Sequence, residues 1–105
     1  MTRAYSIIRQ AIIDRDQVTA TYKGYHREMC PHAVGTKDGL EKALFYQFAD
    51  GSSSGLGPDG SDKNWRCIFI EELGNVSARK GAWHTAPTHS RRQTCIDIVD
   101  VEVAS

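Results

Sequence analysis

The first apolar pattern along the chain has the period of an α-helix. Apolar residues recur at spacings of three and four between Ala4 and Ile12, as on the buried face of an amphipathic helix. Thr2 stands where an N-cap is expected, and the charged run Asp14-Arg15-Asp16 ends the periodicity. The pattern therefore predicts one helix over about residues 4–14.

After this helix the apolar period changes to two. Alternating or β-branched stretches separated by turn residues predict short strands. These strands are expected at about 18–22, 25–30, 44–48, 65–70 and 76–79. Gly24, the run Thr36-Lys37-Asp38-Gly39 and the run Leu73-Gly74-Asn75-Val76 predict turns. The expected fold class is mainly β with one N-terminal helix.

Two of these strands carry a prediction about their place in the sheet. Pro31 has no N–H to give to a ladder, so it should end the second strand or place it on an edge. The fourth strand becomes apolar on both faces, which predicts a central position.

The rest of the chain is less regular. The segment 50–63 holds four Gly and four Ser, which predicts a flexible loop within one barrel. Residues 81–93 have no period and are expected to be irregular. The run from Cys95 to Val103 is strongly β-branched and predicts an extra C-terminal strand. Its partner is left open, either the edge of the barrel or a second subunit.

Length and composition point to one soluble domain covering residues 1–105. The chain has no net charge, 40% hydrophobic residues and 25% charged residues, as ordinary globular domains do. It has no run of about 18 apolar residues and no signal-peptide core, so no membrane association is expected. Its three cysteines, Cys30, Cys67 and Cys95, are an odd number without secretory targeting. They predict buried free thiols in a reducing, cytoplasmic location.

The hairpin around Gly24 carries the most specific motif. The series Tyr22-Lys23-Gly24-x-x-Arg27 and Pro31-His32-x-x-Gly35 resembles the core of the WYL domain family. The likeness covers roughly the first three quarters of the chain, from near Ile7 to about Val76. It implies a small SH3/Sm-like barrel of five strands, here with an extra C-terminal strand. Family members regulate transcription or take part in phage defence in bacteria.

The resemblance also implies a ligand site of aromatic, cationic and polar side chains. Arg27 would contact a phosphate, His32 a phosphate or base edge, and Tyr46 with Gln47 a base. The predicted ligand or nucleic-acid site is Tyr22, Arg27, His32, Tyr46, Gln47 and Arg66. The alternatives are a solvated arginine at 27, a structural histidine bonded to backbone at 32, and core packing for Phe45 and Phe48.

The fourth strand departs from the family pattern. Members carry a series like Arg-x-Phe-Arg-x-Asp-Arg-Ile, whereas this chain has Arg66-Cys67-Ile68-Phe69-Ile70-Glu71-Glu72-Leu73. Phe69 and Glu72 stand at the later arginine positions, which weakens the attraction for a polyanion there. A possible substitute is a basic patch near three interspersed rings, Trp83, His84 and His89. It comprises Arg79, Lys80, Arg91 and Arg92, and a solvated loop is its alternative.

Catalysis is not expected. Cys30 and His32 are one residue apart and could form a nucleophile–base pair, but no third orienting group is evident. No C-x-x-C pair anchors a metal, and no cofactor is predicted. The function expected is a non-catalytic, ligand-sensing or nucleotide- or nucleic-acid-binding regulatory module. The alternative is an assembly protein that dimerises or docks on a protein partner through its C-terminal strand.

Overall fold

The computed structural model describes residues 2–50, 64–86 and 95–103. Helix α1 spans Arg3–Asp14 and a 3₁₀ turn spans Ile70–Glu72. The strands are β1 Gln17–Tyr22, β2 Tyr25–Lys37, β3 Leu40–Asp50, β4 Trp65–Phe69, β5 Leu73–Arg79 and β6 Ile98–Glu102. The mainly β fold with one N-terminal helix is thus confirmed. No helix in these three ranges is long and apolar enough to cross a membrane. The glycine- and serine-rich segment predicted as a loop lies outside them except for Asp50, the last residue of β3.

The predicted helix is confirmed together with its N-cap. The Thr2 hydroxyl accepts a hydrogen bond from the Tyr5 N–H at 3.1 Å, which satisfies one of the first unpaired amides. At the other end Arg15 adopts a left-handed conformation with φ of 58°. Its amide and that of Asp16 turn back to the last turn of the helix, so the chain enters β1 without a long linker.

The sheet is antiparallel and is organised around β2. Its order is β4-β3-β2-β1-β5, and β6 also pairs with β2. One edge of β2 pairs with β3. The other edge pairs first with β1, over residues 25–29, and then with β6, over residues 33–36. Because β4 and β5 are the two ends of this order, the sheet is open.

Both tight turns between the first three strands follow the sequence prediction. Lys23 and Gly24 have φ of 52° and 82°, and Asp38 and Gly39 have φ of 53° and 80°. Two consecutive positive φ values are typical of the two-residue hairpin turn whose twist matches the strands. Glycine supplies the second of these conformations at no steric cost.

Helix α1 packs on one face of the sheet, and this helix face holds the apolar core. Ile8 is fully buried there, which stabilises the fold by about 1.5–3 kcal/mol relative to an exposed side chain. The opposite face is covered in part by residues 81–86 and is centred on His32, as described below. The core consists of Tyr5, Ile8, Ala11, Ile12, Val18, Ala20, Met29, Val34, Ala43, Phe45, Ile68, Ile70 and Val103.

Three details of the predicted strands are wrong. β2 continues through Pro31 to Lys37, flanked on both edges. The proline is tolerated because neither β1 nor β6 pairs with β2 at residues 30–32, and the β2–β3 register shifts beside it. β4 is an end strand rather than a central one. The predicted turn at 73–76 is part of β5, where Asn75 has φ of 51° and the β1–β5 register shifts, as in a β-bulge.

The predicted C-terminal strand exists and has a partner within the chain. β6 pairs antiparallel with β2, and Ala33 lies opposite Glu102. The sequence left two partners open for this strand, and in the structure the partner is an edge of the chain's own sheet.

Candidate functional site

The residues predicted to form one site lie in separate places. β1 residues Val18 and Ala20 belong to the core, and alternation places Tyr22 on the same helix face. Register sets Ala20 opposite Arg27 and Met29 opposite Gln47, so Arg27 and Gln47 share that face. His32 and Tyr46 belong to the cluster on the opposite face, and Arg66 lies on the end strand β4.

Arg27 is buried at the end of the apolar core. Only 6% of the residue is exposed, and its guanidinium carbon lies 4.9 Å from the centroid of the Tyr22 ring. The alternative of a solvated surface arginine is therefore wrong. Stacking of a guanidinium on an aromatic face holds the group flat and stabilises it by about 0.5–2 kcal/mol. The β1–β2 hairpin thus places a cation where it is almost completely shielded from water.

The hydrogen bonds of this cation are incomplete. Arg27 Nη1 donates to Gln47 Oε1 at 3.1 Å, while Arg27 Nε and Gln47 Nε2 are buried without a partner. Among the side chains that the structure describes, no carboxylate forms an ion pair with Arg27. A buried, unpaired charge costs several kcal/mol. Both unsatisfied atoms are donors, so the group that would complete the site is an acceptor.

The geometry of the guanidinium narrows the class of acceptor. Nη1 is used by Gln47, which leaves the edge formed by Nε and Nη2. This edge presents two parallel N–H groups that match the two oxygens of a carboxylate or phosphate. Gln47 Nε2 adds a third donor beside it. We refer to Tyr22, Arg27 and Gln47 as the arginine site.

Two charged side chains that the structure describes near the arginine site, Lys23 and Glu28, do not neutralise it. Lys23 Nζ lies 5.3 Å from the centroid of the Tyr22 ring. It therefore adds a second cation beside the arginine site. Glu28 alternates to the opposite side of β2, where its carboxylate pairs with Arg79. Lys23 therefore adds positive charge beside the arginine site, which favours an anionic ligand.

His32 is held by hydrogen bonds on both ring nitrogens and is fully buried. Nδ1 lies 2.8 Å from the Cys30 carbonyl oxygen and Nε2 lies 2.9 Å from Thr85 Oγ1. A carbonyl only accepts, so Nδ1 carries the hydrogen, as inferred from its partner. Trp65 and Trp83 contact the ring, each with its centroid at 4.8 Å. This geometry agrees with the structural role considered for His32.

The remaining members of the predicted site make no described contact with the arginine site, although the register of Arg66 opposite the core residue Phe45 sets it on the same face of the sheet. Tyr46 is fully buried; its ring lies edge-on to Trp65 at 5.0 Å, and its hydroxyl accepts from Asn64 at 3.4 Å. Arg66 is half-buried and donates from Nη1 to the Trp65 carbonyl oxygen at 2.9 Å. Of the two phenylalanines, Phe45 is in the core as its alternative predicted, while Phe48 stacks on His84 with the centroids 4.2 Å apart.

The predicted basic patch is described only in part. Arg79 donates from Nε to Gln17 Oε1 at 2.9 Å and pairs with Glu28. Lys80 lies 3.8 Å from the Asp16 carboxylate, at a highly exposed position where such a pair stabilises little. Both described cations already have acidic neighbours. Arg91, Arg92 and His89 lie outside the described residues.

The cysteine prediction is right for one thiol and wrong for two. Cys30 is free and buried; its sulfur accepts from the His84 N–H at 3.3 Å. Cys67 and Cys95 form a disulfide with their Cα atoms 6.0 Å apart. Spacing alone could not reveal this pair, because connectivity depends on the fold. The Cys30–His32 dyad also lacks support, since the two ring nitrogens of His32 bond to other atoms.

Sequence reasoning missed the residues that build the cluster around His32. Thr85, Trp65 and the N–H of His84 were not predicted as its partners or neighbours. The aromatic content of 65–84 was a signal, but only the fold brings it over β2. Among the described residues no three His, Cys, Asp or Glu side chains lie close enough to hold a metal ion.

Comparison with protein families, with curated proteins and with solved structures found no match for this chain. The likeness to the WYL domain thus rests on the motif residues alone.

Proposed function

We propose that this chain is a non-catalytic binding module whose arginine site takes an oxyanion, the phosphate of a nucleotide or of a single-stranded nucleic acid. One observation carries the proposal. Arg27 is buried with its Nε unpaired, next to the unpaired Nε2 of Gln47, and a phosphate would satisfy both donors. The resemblance to WYL domains supports the same ligand class and a sensing or regulatory role.

The finer fold assignment is part of this proposal. A five-stranded SH3/Sm-like barrel is supported by the order β4-β3-β2-β1-β5 and by the 3₁₀ turn that carries the chain from β4 to β5. These strands lie at the two ends of the sheet, so a short connection between them favours strong curvature. The arginine site would then lie at one end of the barrel interior.

A base could stack beside the phosphate. Tyr25 is exposed at the same hairpin, and Tyr22 is half-buried. Stacking on such rings is worth about 1–3 kcal/mol per base and tolerates any sequence. This makes a nucleotide a better candidate than a bare carboxylate.

The proposal is tested by calorimetric titration of the full chain at low salt, where phosphate binding is strongest. The panel holds inorganic phosphate, nucleoside monophosphates, cyclic oligonucleotides, single-stranded DNA and RNA. Arg27→Met should lower the affinity about 10- to 100-fold. Its unliganded stability should be unchanged or higher, because an unpaired buried charge has been removed.

The matched control is Arg66→Met, which removes an arginine of β4 and should leave binding unchanged. Asp50→Asn is a second control, because Asp50 is the register partner of Arg27 on β3. Removing this acid should leave binding unchanged or tighten it. No binding by any member of the panel, or equal binding by the wild type and Arg27→Met, would overturn the proposal.

Assembly through the C-terminal strand is the second candidate. β6 uses one edge for β2, and Ile98 and Val99 remain 71% and 38% exposed. An edge strand with exposed apolar side chains can pair with another chain. Light scattering should then find a dimer or a complex that Ile98→Lys disrupts, while a monomer at all concentrations would remove homodimerisation.

A cytoplasmic location is likewise a proposal. A disulfide persists in oxidising compartments and is usually transient in the cytosol. If the chain is cytoplasmic, the Cys67–Cys95 pair would be subject to reduction.

A further inference from the structure

The disulfide joins two distant parts of the sheet. Cys67 lies on β4, opposite Leu44 of β3, and Cys95 lies just ahead of β6. Alternation with the core residue Ile68 puts Cys67 on the face away from the helix. On that face the neighbouring Ile96 packs over Gly35 of β2. The bond therefore crosses the sheet from its β4 end to the segment that leads into β6.

The non-covalent attachment of this segment is small. Its buried side chains are Ile96 and Val103, and the residues of β6 itself are exposed or half-buried. The ion pairs Lys37–Asp97 and Arg9–Asp100, at 3.6 and 3.1 Å, join partly exposed side chains and stabilise little. Backbone hydrogen bonds to β2 and the hydrogen bond from the Tyr5 hydroxyl to Asp100 at 2.7 Å add to this attachment.

The main effect of the disulfide is on the length of chain between β6 and the nearest fixed residue ahead of it. Its effect on the contacts of β6 is smaller. If Ile96 leaves β2 together with β6, the buried residue that next precedes them in the described part of the chain is Ala86, about twelve residues ahead of Ile98. With the bond, Cys95 is fixed about three residues ahead of Ile98. For flexible tethers of about twelve and about three residues, the probability of closure falls as the three-halves power of the length, so the open fraction would differ about tenfold.

We propose that the Cys67–Cys95 disulfide is a redox-controlled latch that holds β6 on β2. In the oxidised chain the strand covers the edge of β2 at residues 33–36. In the reduced chain β6 opens more often and exposes that edge, whose unpaired backbone groups can accept a strand from another chain.

The chemistry requires a dithiol reductant. A thiolate of the reductant attacks the exposed Cys67 sulfur, and the Cys95 thiolate leaves and takes up a proton. The second thiol of the reductant then displaces Cys67 and closes a cyclic disulfide. Two electrons and two protons pass to the protein. Cys30 is buried and hydrogen-bonded elsewhere, so it takes no part.

Hydrogen-exchange mass spectrometry on the full chain tests the latch. Protein kept oxidised is compared with protein treated with dithiothreitol, and intact mass should show a gain of about two hydrogens. Exchange should rise about tenfold in 33–36 and 98–103. Exchange in α1 and in the β1–β2 hairpin should not change.

Two variants sharpen the test. Without reductant, the double variant Cys67→Ser, Cys95→Ser should match the reduced wild type, while Cys30→Ala should keep the full response to reductant. Three results would overturn the proposal. They are no mass change on reduction, unchanged exchange in 98–103, and faster exchange over the whole chain, which would make the bond a global staple instead.

Discussion

The two faces of the sheet treat their buried polar groups differently. On the face away from the helix, His32 has a hydrogen bond on each ring nitrogen and aromatic rings around it. On the helix face, Arg27 has one bond to Gln47 and leaves two donors unsatisfied. Both residues come from one strand and looked equally suited to a phosphate. Hydrogen-bond satisfaction separates them: His32 has its partners within the chain, whereas Arg27 has unsatisfied donors and is the residue that we propose binds a ligand.

The same contrast orders the consequences of mutation. A group that is satisfied within the chain should cost stability when changed and leave binding alone. A group left unsatisfied should affect binding and leave stability alone or improve it. The substitutions below test the two faces separately.

The largest effect is expected from Gly35→Ala on the face away from the helix. A Cβ at Gly35 would overlap the backbone carbonyl oxygen of Ile98 and press on Ile96. Since backbone cannot move aside as a flexible side chain does, we expect a loss of about 3 kcal/mol or more. Chemical denaturation measures the loss, and phosphate affinity per folded molecule should not change.

Gly24→Ala is the control for this substitution. Gly24 has φ of 82° but open space around its Cβ position, so only the strained conformation is penalised, by about 1 kcal/mol. If Gly35→Ala and Gly24→Ala lose the same stability, then the close packing of β6 over Gly35 is not the reason why a glycine is needed at position 35.

A medium effect is expected from Gln47→Glu at the arginine site. The new carboxylate has nearly the shape of the amide and would pair with Arg27 in place of an external anion. We expect the free energy of unfolding at neutral pH to rise by about 1–2 kcal/mol. Phosphate binding should be lost, which titration calorimetry would detect.

The isosteric control for this change is Thr85→Val beside His32. It removes the hydroxyl partner of a buried ring nitrogen, so stability should fall by about 1–2 kcal/mol while phosphate binding persists. If Gln47→Glu and Thr85→Val changed phosphate binding equally, the two faces of the sheet would not differ in their role in binding.

Local features of the fold were predictable from sequence, and long-range ones were not. The cap at Thr2 and the turns at Gly24 and Gly39 depend on neighbouring residues only. The end position of β4, the partner of β6 and the Cys67–Cys95 bond depend on how distant segments meet. An apolar strand can be buried either by a central position in the sheet or by another segment packed over it. The apolar pattern of β4 therefore could not show whether β4 is a central or an end strand.

The candidate site was predictable in its residue types and not in its geometry. Tyr22, Arg27 and Gln47 were all named from the sequence, but so were His32, Tyr46 and Arg66. Strand alternation shows which residues share a face only where no bulge intervenes. The irregularities beside Met29 and Pro31 change the partners of β2, and the burial of Arg27 follows from packing around the hairpin.

The smallest effect concerns a polar contact that is satisfied at the border of the helix face. The Tyr5 hydroxyl donates to Asp100 of β6 at 2.7 Å, and Arg9 also donates to that carboxylate. Burial, with this hydrogen bond and the charges of Asp100 and Glu41, raises the pKa of Tyr5 from 10.0 to about 12. The hydrogen bond from Tyr5 lowers the pKa of Asp100.

The directions of these two pKa shifts define two pH ranges in which the contact loses its contribution to stability. Because the folded chain keeps the Tyr5 proton more tightly than the unfolded chain, the contribution of Tyr5 to stability is complete below pH 10 and is lost as the pH rises towards 12. The contribution of Asp100 is lost in acid, below its ordinary value of 3.8. Unfolding curves of the wild type and Tyr5→Phe should therefore differ most near neutral pH and converge in both windows. A constant difference from pH 7 to 12 would show that Tyr5 does not link α1 to β6 through this proton.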